Sequence, residues 1–284
     1  MAATHHAPEP PVPLPPGRII HVPGRGELFV RDSGGDGPAV LLLHGWMFPS
    51  DLNWFPVYGA LADEGYRVLA MDHRGHGRGL RTSAPFRLTD CAADAAALVE
   101  HLGCGPVTAV GYSMGGPIAT LMSRAHRQAV RGVVLCATST DWQGKRMSVF
   151  WKTMASIRFW LGLAPAQFWK LIVRGSGIPA GPEREWVAAE LSRGSSVDIA
   201  EAGRELSRYD ARPWIEELRG LPAAVVVTAR DRSVPPRKQR ALAEALGART
   251  FDVKADHMAV VPHKAEYRRA LIVALESVGA GAGA

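Results

Sequence analysis

The feature of this 284-residue sequence that most limits its fold is a rhythm of short apolar runs. They fall at residues 28–31, 39–43, 67–71, 107–110, 132–136, 223–228 and 250–253. Most are continuous and β-branched rather than alternating, the pattern of parallel strands buried on both faces. Longer stretches with helical spacing lie between them. Residues 89–102 start beside Asp90, place Ala95, Leu98, Val99 and Leu102 on one face, and stop at Gly103. Strands alternating with helices predict an α/β fold with a mainly parallel central sheet flanked by helices. The rhythm fails once, over residues 139–218, where only helical patterns and loops occur. An interval that long is expected to be an inserted helical cap. Ligands of open α/β sheets bind beyond the carboxyl ends of the strands, the edge such a cap would cover. The expected layout is a core from 18–138 and 219–278, a helical cap over 139–218, a disordered Pro-rich tail over 1–17, and a flexible Gly/Ala tail over 279–284.

The strongest local signal follows the run at 107–110. Gly111-Tyr112-Ser113-Met114-Gly115 has the G-x-S-x-G form, set between a strand-like run and the helical spacing of Ile118, Leu121 and Met122. Small residues on both sides permit a strained turn that lifts the Ser113 hydroxyl above the sheet, a nucleophile elbow. Pro117 suits a first helical turn, where its missing N–H has no intrahelical acceptor. The helix N-terminus adds positive potential where an oxyanion would form.

Serine needs a base, and the base an orienting carboxylate. Asp231 follows the run at 223–228, and His257 follows the run at 250–253, each in a loop at a strand's carboxyl end. Asp256 and His263 are the nearest rivals. An oxyanion hole needs backbone donors, which the N–H groups of Trp46 and Met114 are placed to supply. His44, at the end of an apolar strand, is expected to hold its loop by hydrogen bonds rather than act as base. His73 and His76 flank glycines in a loop and lack an acidic cluster, so no metal site is expected.

These pieces together are similar to the α/β-hydrolase superfamily, in its branch of capped esterases, monoacylglycerol lipases and non-haem haloperoxidase-like serine hydrolases. The resemblance rests on His44-Gly45-Trp46, Asp72-His73-Arg74-Gly75-His76-Gly77, the elbow at 111–116, Asp231 with Pro235, and His257, spanning nearly all of the chain between its tails. It implies a triad of Ser113, His257 and Asp231, oxyanion donors at Trp46 and Met114, and no cofactor. One departure is that Asp256 stands before His257, where relatives often carry glycine. The reaction this implies is hydrolysis of a small-molecule carboxylic ester with a hydrophobic part. A thioesterase, lactonase, carbon–carbon bond hydrolase or perhydrolase could use the same triad, and a non-catalytic receptor the same fold. Epoxide hydrolases and dehalogenases of this fold use aspartate at the elbow, which Ser113 disfavours. Candidate substrate-pocket residues are Met47, Tyr112, Trp151, Met154 and Trp160. Phe150, Met154, Ile157, Trp160 and Leu161 share a helical face suited either to core packing or to an apolar acyl pocket.

Composition narrows the partners. Three cysteines, Cys91, Cys104 and Cys136, form no CxxC pair and fit buried thiols in a reducing compartment. The first 17 residues hold six prolines and no apolar core of a signal peptide, and the uncharged run at 102–123 is broken by glycines and prolines. A cytoplasmic protein is therefore expected. Lysine and arginine number 33 against 27 acidic residues, a formal charge of +6. Residues 141–174 hold Lys145, Arg146, Lys152, Arg158, Lys170 and Arg174 against Asp141 alone, six minus one or +5. Such a basic, aromatic-rich stretch suits weak contact with an anionic membrane surface, although basic side chains also serve to solvate a helix face. No nucleic-acid-binding motif is present.

Overall fold

The structure, a computed structural model, describes residues 8–144, 149–175, 178–260 and 263–279. Lys145 and Arg146 of the basic stretch lie outside the described residues, as do residues 1–7 and 280–284 of the two tails.

The apolar runs become strands. The sheet contains β1 (Gly17–Val22), β2 (Gly26–Asp32), β3 (Ala39–Leu43), β4 (Arg67–Met71), β5 (Val107–Tyr112), β6 (Val130–Cys136), β7 (Ala223–Thr228) and β8 (Arg249–Val253). Their order is β1-β2-β4-β3-β5-β6-β7-β8. Every pair from β4 to β8 is parallel, while β1–β2 and β2–β4 are antiparallel. β3, β5 and β6 lie at the centre and are almost wholly buried, which explains their continuous apolar spelling. The strand β1 has no counterpart among the apolar runs. It is a mostly exposed edge strand whose sequence, GRIIHV, has no continuous buried run. The segment before it is held as well: Arg31 donates to the Pro15 carbonyl at 2.7 Å, and the Asp32 amide donates to Pro16 at 3.0 Å.

Alternate residues of the strands feed two apolar layers. Leu41, Leu43, Val133 and Val225 pack against α3 (Leu88–His101) and α4 (Gly115–Ala125), among others. Val40, Leu42, Val134 and Val226 face the other way, toward α1 (Ser50–Trp54) and α2 (Tyr58–Asp63). The helix α10 (Lys264–Ser277) covers the same face, through Tyr267, Leu271 and Leu275. α9 (Pro236–Leu246) adds Leu242 and Leu246 to the first layer.

Between β6 and β7 the chain inserts α5 (Met154–Leu163), α6 (Pro165–Arg174), α7 (Pro182–Leu191) and α8 (Ser196–Arg208). The insertion leaves and returns at one point, because Asp141 and Asp210 form an isolated bridge and the Ala211 amide donates to Thr140 at 2.7 Å. A third apolar cluster joins it to the core: Leu161, Trp169, Trp186, Leu191 and Ile199 pack on Leu52 and Phe55. Arg78 adds a buried polar tie, with Glu190 of α7 at 2.8 Å on one side and Asp51 of α1 at 3.3 Å on the other.

Candidate active site

The site is built at the carboxyl ends of β3, β5, β7 and β8. β5 ends in Gly111-Tyr112, α4 begins at Gly115, and Ser113 is held between them with φ of +52°. A non-glycine residue in this left-handed region costs roughly 1–2 kcal/mol, which surrounding contacts must offset. The Ser113 amide donates to Cys136 at 2.9 Å, and its carbonyl accepts from Gly116 at 3.0 Å. Two neighbours are glycine for a steric reason. A Cβ on Gly111 would stand 2.3 Å from the Gly115 carbonyl oxygen, and one on Gly115 would stand 2.0 Å from that of Leu43. Both obstacles are backbone, so the turn closes only without those side chains. The other described non-glycine residues with positive φ, Met47 (+70°) and Ala137 (+49°), follow β3 and β6 at the same end of the sheet.

Ser113 Oγ lies 2.9 Å from His257 Nε2, and His257 Nδ1 lies 2.7 Å from Asp231 Oδ2. Asp231 is almost completely buried and surrounded by donors. Its Oδ1 accepts from the amides of Ser233 and Val234, each at 2.8 Å, and its Oδ2 also accepts from Thr228 Oγ1 at 2.9 Å. With the carboxylate as acceptor, Nδ1 carries the proton and Nε2 is free to accept from the Ser113 hydroxyl. Gln239, on the first turn of α9 and fully buried, braces this loop: its amide donates to Thr228 Oγ1 and the Val234 carbonyl. The Tyr112 hydroxyl donates to the His257 carbonyl at 2.8 Å. Neither rival takes these positions: Asp256 accepts from the Met258 amide, and His263 precedes α10.

The Gly45–Trp46 turn closes against the elbow. A Cβ on Gly45 would lie 3.3 Å from the Ser113 Cβ, and the Gly45 amide is tied to Asn53 Oδ1 at 2.7 Å. His44 anchors the turn below, as its position at the end of β3 predicts. Its Nε2 accepts from the His73 amide at 2.9 Å, so Nδ1 is the donor to the Gly45 carbonyl at 2.8 Å. Burial lowers the His44 pKa to about 4, which keeps this ring neutral. His73 and His76 pack beside it with tilted rings, their centroids 4.1 and 5.4 Å away. Burial holds His76 at about 3 as well, and its Nδ1 pairs with the Arg74 carbonyl. Met114 immediately precedes α4, and its amide N–H makes no hydrogen bond among the described residues.

The suggested pocket residues divide. Trp46, Trp151 and Met154 meet around Gly203, where a Cβ would stand 2.4 Å from Met154 Sδ and 3.1 Å from Trp46 Cζ2. Trp46 also donates its indole N–H to Ile199 of α8 at 2.6 Å. Tyr112 packs beneath, against Trp54 and Tyr267, where it supports His257. Trp160 is 55% exposed and touches Phe159, away from that group. Asn53 and Gln239 are supports with no sequence signal: neither stands in a recognisable motif, and only the folded chain brings them to their partners.

A family model described as the alpha/beta hydrolase fold matches residues 38–264. A non-heme haloperoxidase from Rhodococcus erythropolis is 43% identical over 90 residues, 32% of each chain. A bifunctional esterase/perhydrolase from Acinetobacter calcoaceticus is 36% identical over 111 residues, covering 38% of this chain and 40% of that one. The matched stretches thus span well under half of these relatives. Among solved structures, an esterase from Exiguobacterium antarcticum superposes with a TM-score of 0.79 at 19% identity, over 92% of this chain and 99% of the other. With a family match over most of its length and the same fold at nearly full coverage, the chain belongs to the α/β-hydrolase fold family.

Proposed function

We propose that the chain is a serine hydrolase that cleaves a carboxylic ester with a hydrophobic part through an acyl-enzyme on Ser113. The observation that carries this reading is the unbroken relay from Ser113 Oγ to His257 Nε2 at 2.9 Å and from His257 Nδ1 to Asp231 Oδ2 at 2.7 Å. Ser113 attacks the ester carbonyl carbon while its proton passes to His257. Asp231 orients the ring and stabilises the imidazolium. The tetrahedral oxyanion is held by the backbone N–H groups of Trp46 and Met114, the second at the positive end of α4. His257 then protonates the departing alcohol. Water, deprotonated by the same histidine, attacks the acyl-enzyme and releases the acid.

The apolar surfaces of Trp46, Trp151 and Met154 beside the Gly45–Trp46 turn support a hydrophobic substrate. Perhydrolysis is a second reading, favoured by the relative named as a bifunctional esterase/perhydrolase. It needs only that hydrogen peroxide replace water at the acyl-enzyme, giving a peracid.

A fluorophosphonate probe, followed by turnover of p-nitrophenyl esters from short to long acyl chains, tests the proposal. Labelling is expected in the parent protein and is lost in Ser113→Ala. Absence of any Ser113-dependent adduct on folded protein sinks the hydrolase reading. Activity lost in His263→Ala but kept in His257→Ala overturns the choice of base.

A further inference from the structure

The helices α5 and α6 are apolar on two sides. At about 100° per residue, Met154, Ile157 and Leu161 share one face of α5. Met154 and Leu161 are buried there, Met154 beside Trp46. Phe159, Trp160 and Leu163 fall within roughly 100° of each other on the opposite side, and all are exposed. Leu171 and Ile172 are exposed on α6, whose buried residues are Trp169 and Val173 and which is separated from α5 only by Ala164. These five side chains are between 49% and 68% exposed. Large apolar groups are left in water at such density when something else covers them.

The charge around them indicates what does. Lys152, Arg158, Lys170 and Arg174 are exposed on the same two helices and the turn before them. No ion pair engages any of these four among the described residues. From Trp142 to Pro182 the sequence contains no aspartate or glutamate. A second copy of this chain fits poorly as the cover, because a two-fold contact on this face would set basic residues against basic residues. An anionic bilayer answers both features: acyl chains receive the aromatic and aliphatic groups while phosphates receive the lysines and arginines.

We infer that the outer face of α5 and α6 docks on anionic lipid membranes. The mode is peripheral, since no helix among the described residues is long and apolar enough to cross a bilayer. Docking would put the bilayer on one side of α5 while the other side packs against Trp46, next to the Ser113 turn. A lipophilic substrate in the membrane would thus approach from the side of α5 that faces away from the Gly45–Trp46 turn.

Co-sedimentation of the full chain with vesicles of one part phosphatidylglycerol to three parts phosphatidylcholine tests this, alongside vesicles of phosphatidylcholine alone. Ser113→Ala protein is run in parallel, so that binding is read independently of hydrolysis. Binding is expected on the anionic vesicles, with weakening as salt rises. Each basic contact at such a surface is worth about fivefold in partition, so Lys170→Gln with Arg174→Gln should lower it about 25-fold. Phe159→Ser, Leu163→Ser and Leu171→Ser together should lower it by about tenfold or more. All five positions are exposed, and an unchanged melting temperature checks that the variants fold. Absent binding at low salt, or equal and salt-insensitive binding to both vesicles, overturns the inference. So does a concentration-dependent dimer, seen by sedimentation velocity and abolished by the apolar triple variant, if the parent ignores vesicles.

Discussion

Asp231→Asn is the sharpest probe of the proposed relay, because every described polar contact to this carboxylate comes from a donor. Oδ1 receives two backbone amides at 2.8 Å, and Oδ2 receives His257 Nδ1 at 2.7 Å, Thr228 Oγ1 at 2.9 Å and, at a longer 3.4 Å, Gln239 Nε2. Asparagine keeps the shape but offers one accepting oxygen and one donating nitrogen. The two amides cannot rotate away, so the oxygen must face Ser233 and Val234. The new NH2 then points at His257 Nδ1, which can satisfy it only as an acceptor. That moves the ring proton to Nε2, where it faces Ser113 and blocks proton transfer from the hydroxyl. Thr228 can turn its hydroxyl to accept, beside the bond it already takes from Gln239, and the long Gln239 contact to Oδ2 is lost, so the folding cost stays near that of one or two altered hydrogen bonds, about 1–2 kcal/mol. The catalytic cost is far larger: a wrong tautomer in a Ser-His-Asp relay lowers turnover about 10⁴-fold, or roughly 5 kcal/mol. Turnover of p-nitrophenyl acetate and thermal melting, measured on the same preparation, separate the two. A fall in turnover of less than about tenfold, with the melting temperature preserved, would refute the tautomer argument.

Gly115→Ala should be destabilising out of proportion to one methyl group. Its Cβ meets the Leu43 carbonyl oxygen at 2.0 Å and carbon at 2.6 Å, and backbone cannot step aside as a side chain can. A loss of about 3 kcal/mol in urea unfolding, with loss of fluorophosphonate labelling, is expected; unchanged values would mean that β3 and the elbow are not so closely opposed. Stability should also fall in acid because of His44 and His76, whose pKa values lie at about 4 and about 3 against an ordinary 6.5, both chiefly from burial. Above pH 6.5 neither ring is protonated in either state, and their contribution is constant. Below it the unfolded chain takes up protons that the folded chain refuses, until the folded values are reached. Between pH 7.5 and 5 each histidine removes about 2 kcal/mol, or about 4 kcal/mol together. Melting temperatures across that range measure the slope. His76→Phe should flatten it, and an equal slope in that variant would place its cause elsewhere.

Much of this was legible in the linear chain because the signals are local. A parallel strand buried on both faces must be continuously apolar, so β3, β4 and β7 could be read residue for residue. The elbow likewise announces itself, since a turn that brings backbone within contact of backbone excludes side chains at Gly111 and Gly115. Strand-end positions then nominated Asp231 and His257. The edge strand β1 left no such mark, being covered on one side at most.

The α/β framework and the identity of the residues at its sheet edge are thus written in local patterns of the linear chain. How they meet is a product of folding: residues 144 and 26 positions apart come within hydrogen-bonding distance because parallel strands align their carboxyl ends. The same holds for Asn53 beneath Gly45 and Gln239 behind Asp231. Their roles depend on a partner far along the chain, and no local pattern encodes such a partner. The inserted helices show the difference most clearly. The expected face joining Trp160 to Met154 and Leu161 is split: at about 100° per residue Trp160 stands about 120° around α5 from Met154, and Met154 is buried while Trp160 lies in solvent with Phe159. A helix with apolar residues all round can bury either side. Which side turns inward is set by the shape of the surface it lands on, here Trp46 and α8, and that surface exists only once the chain has folded.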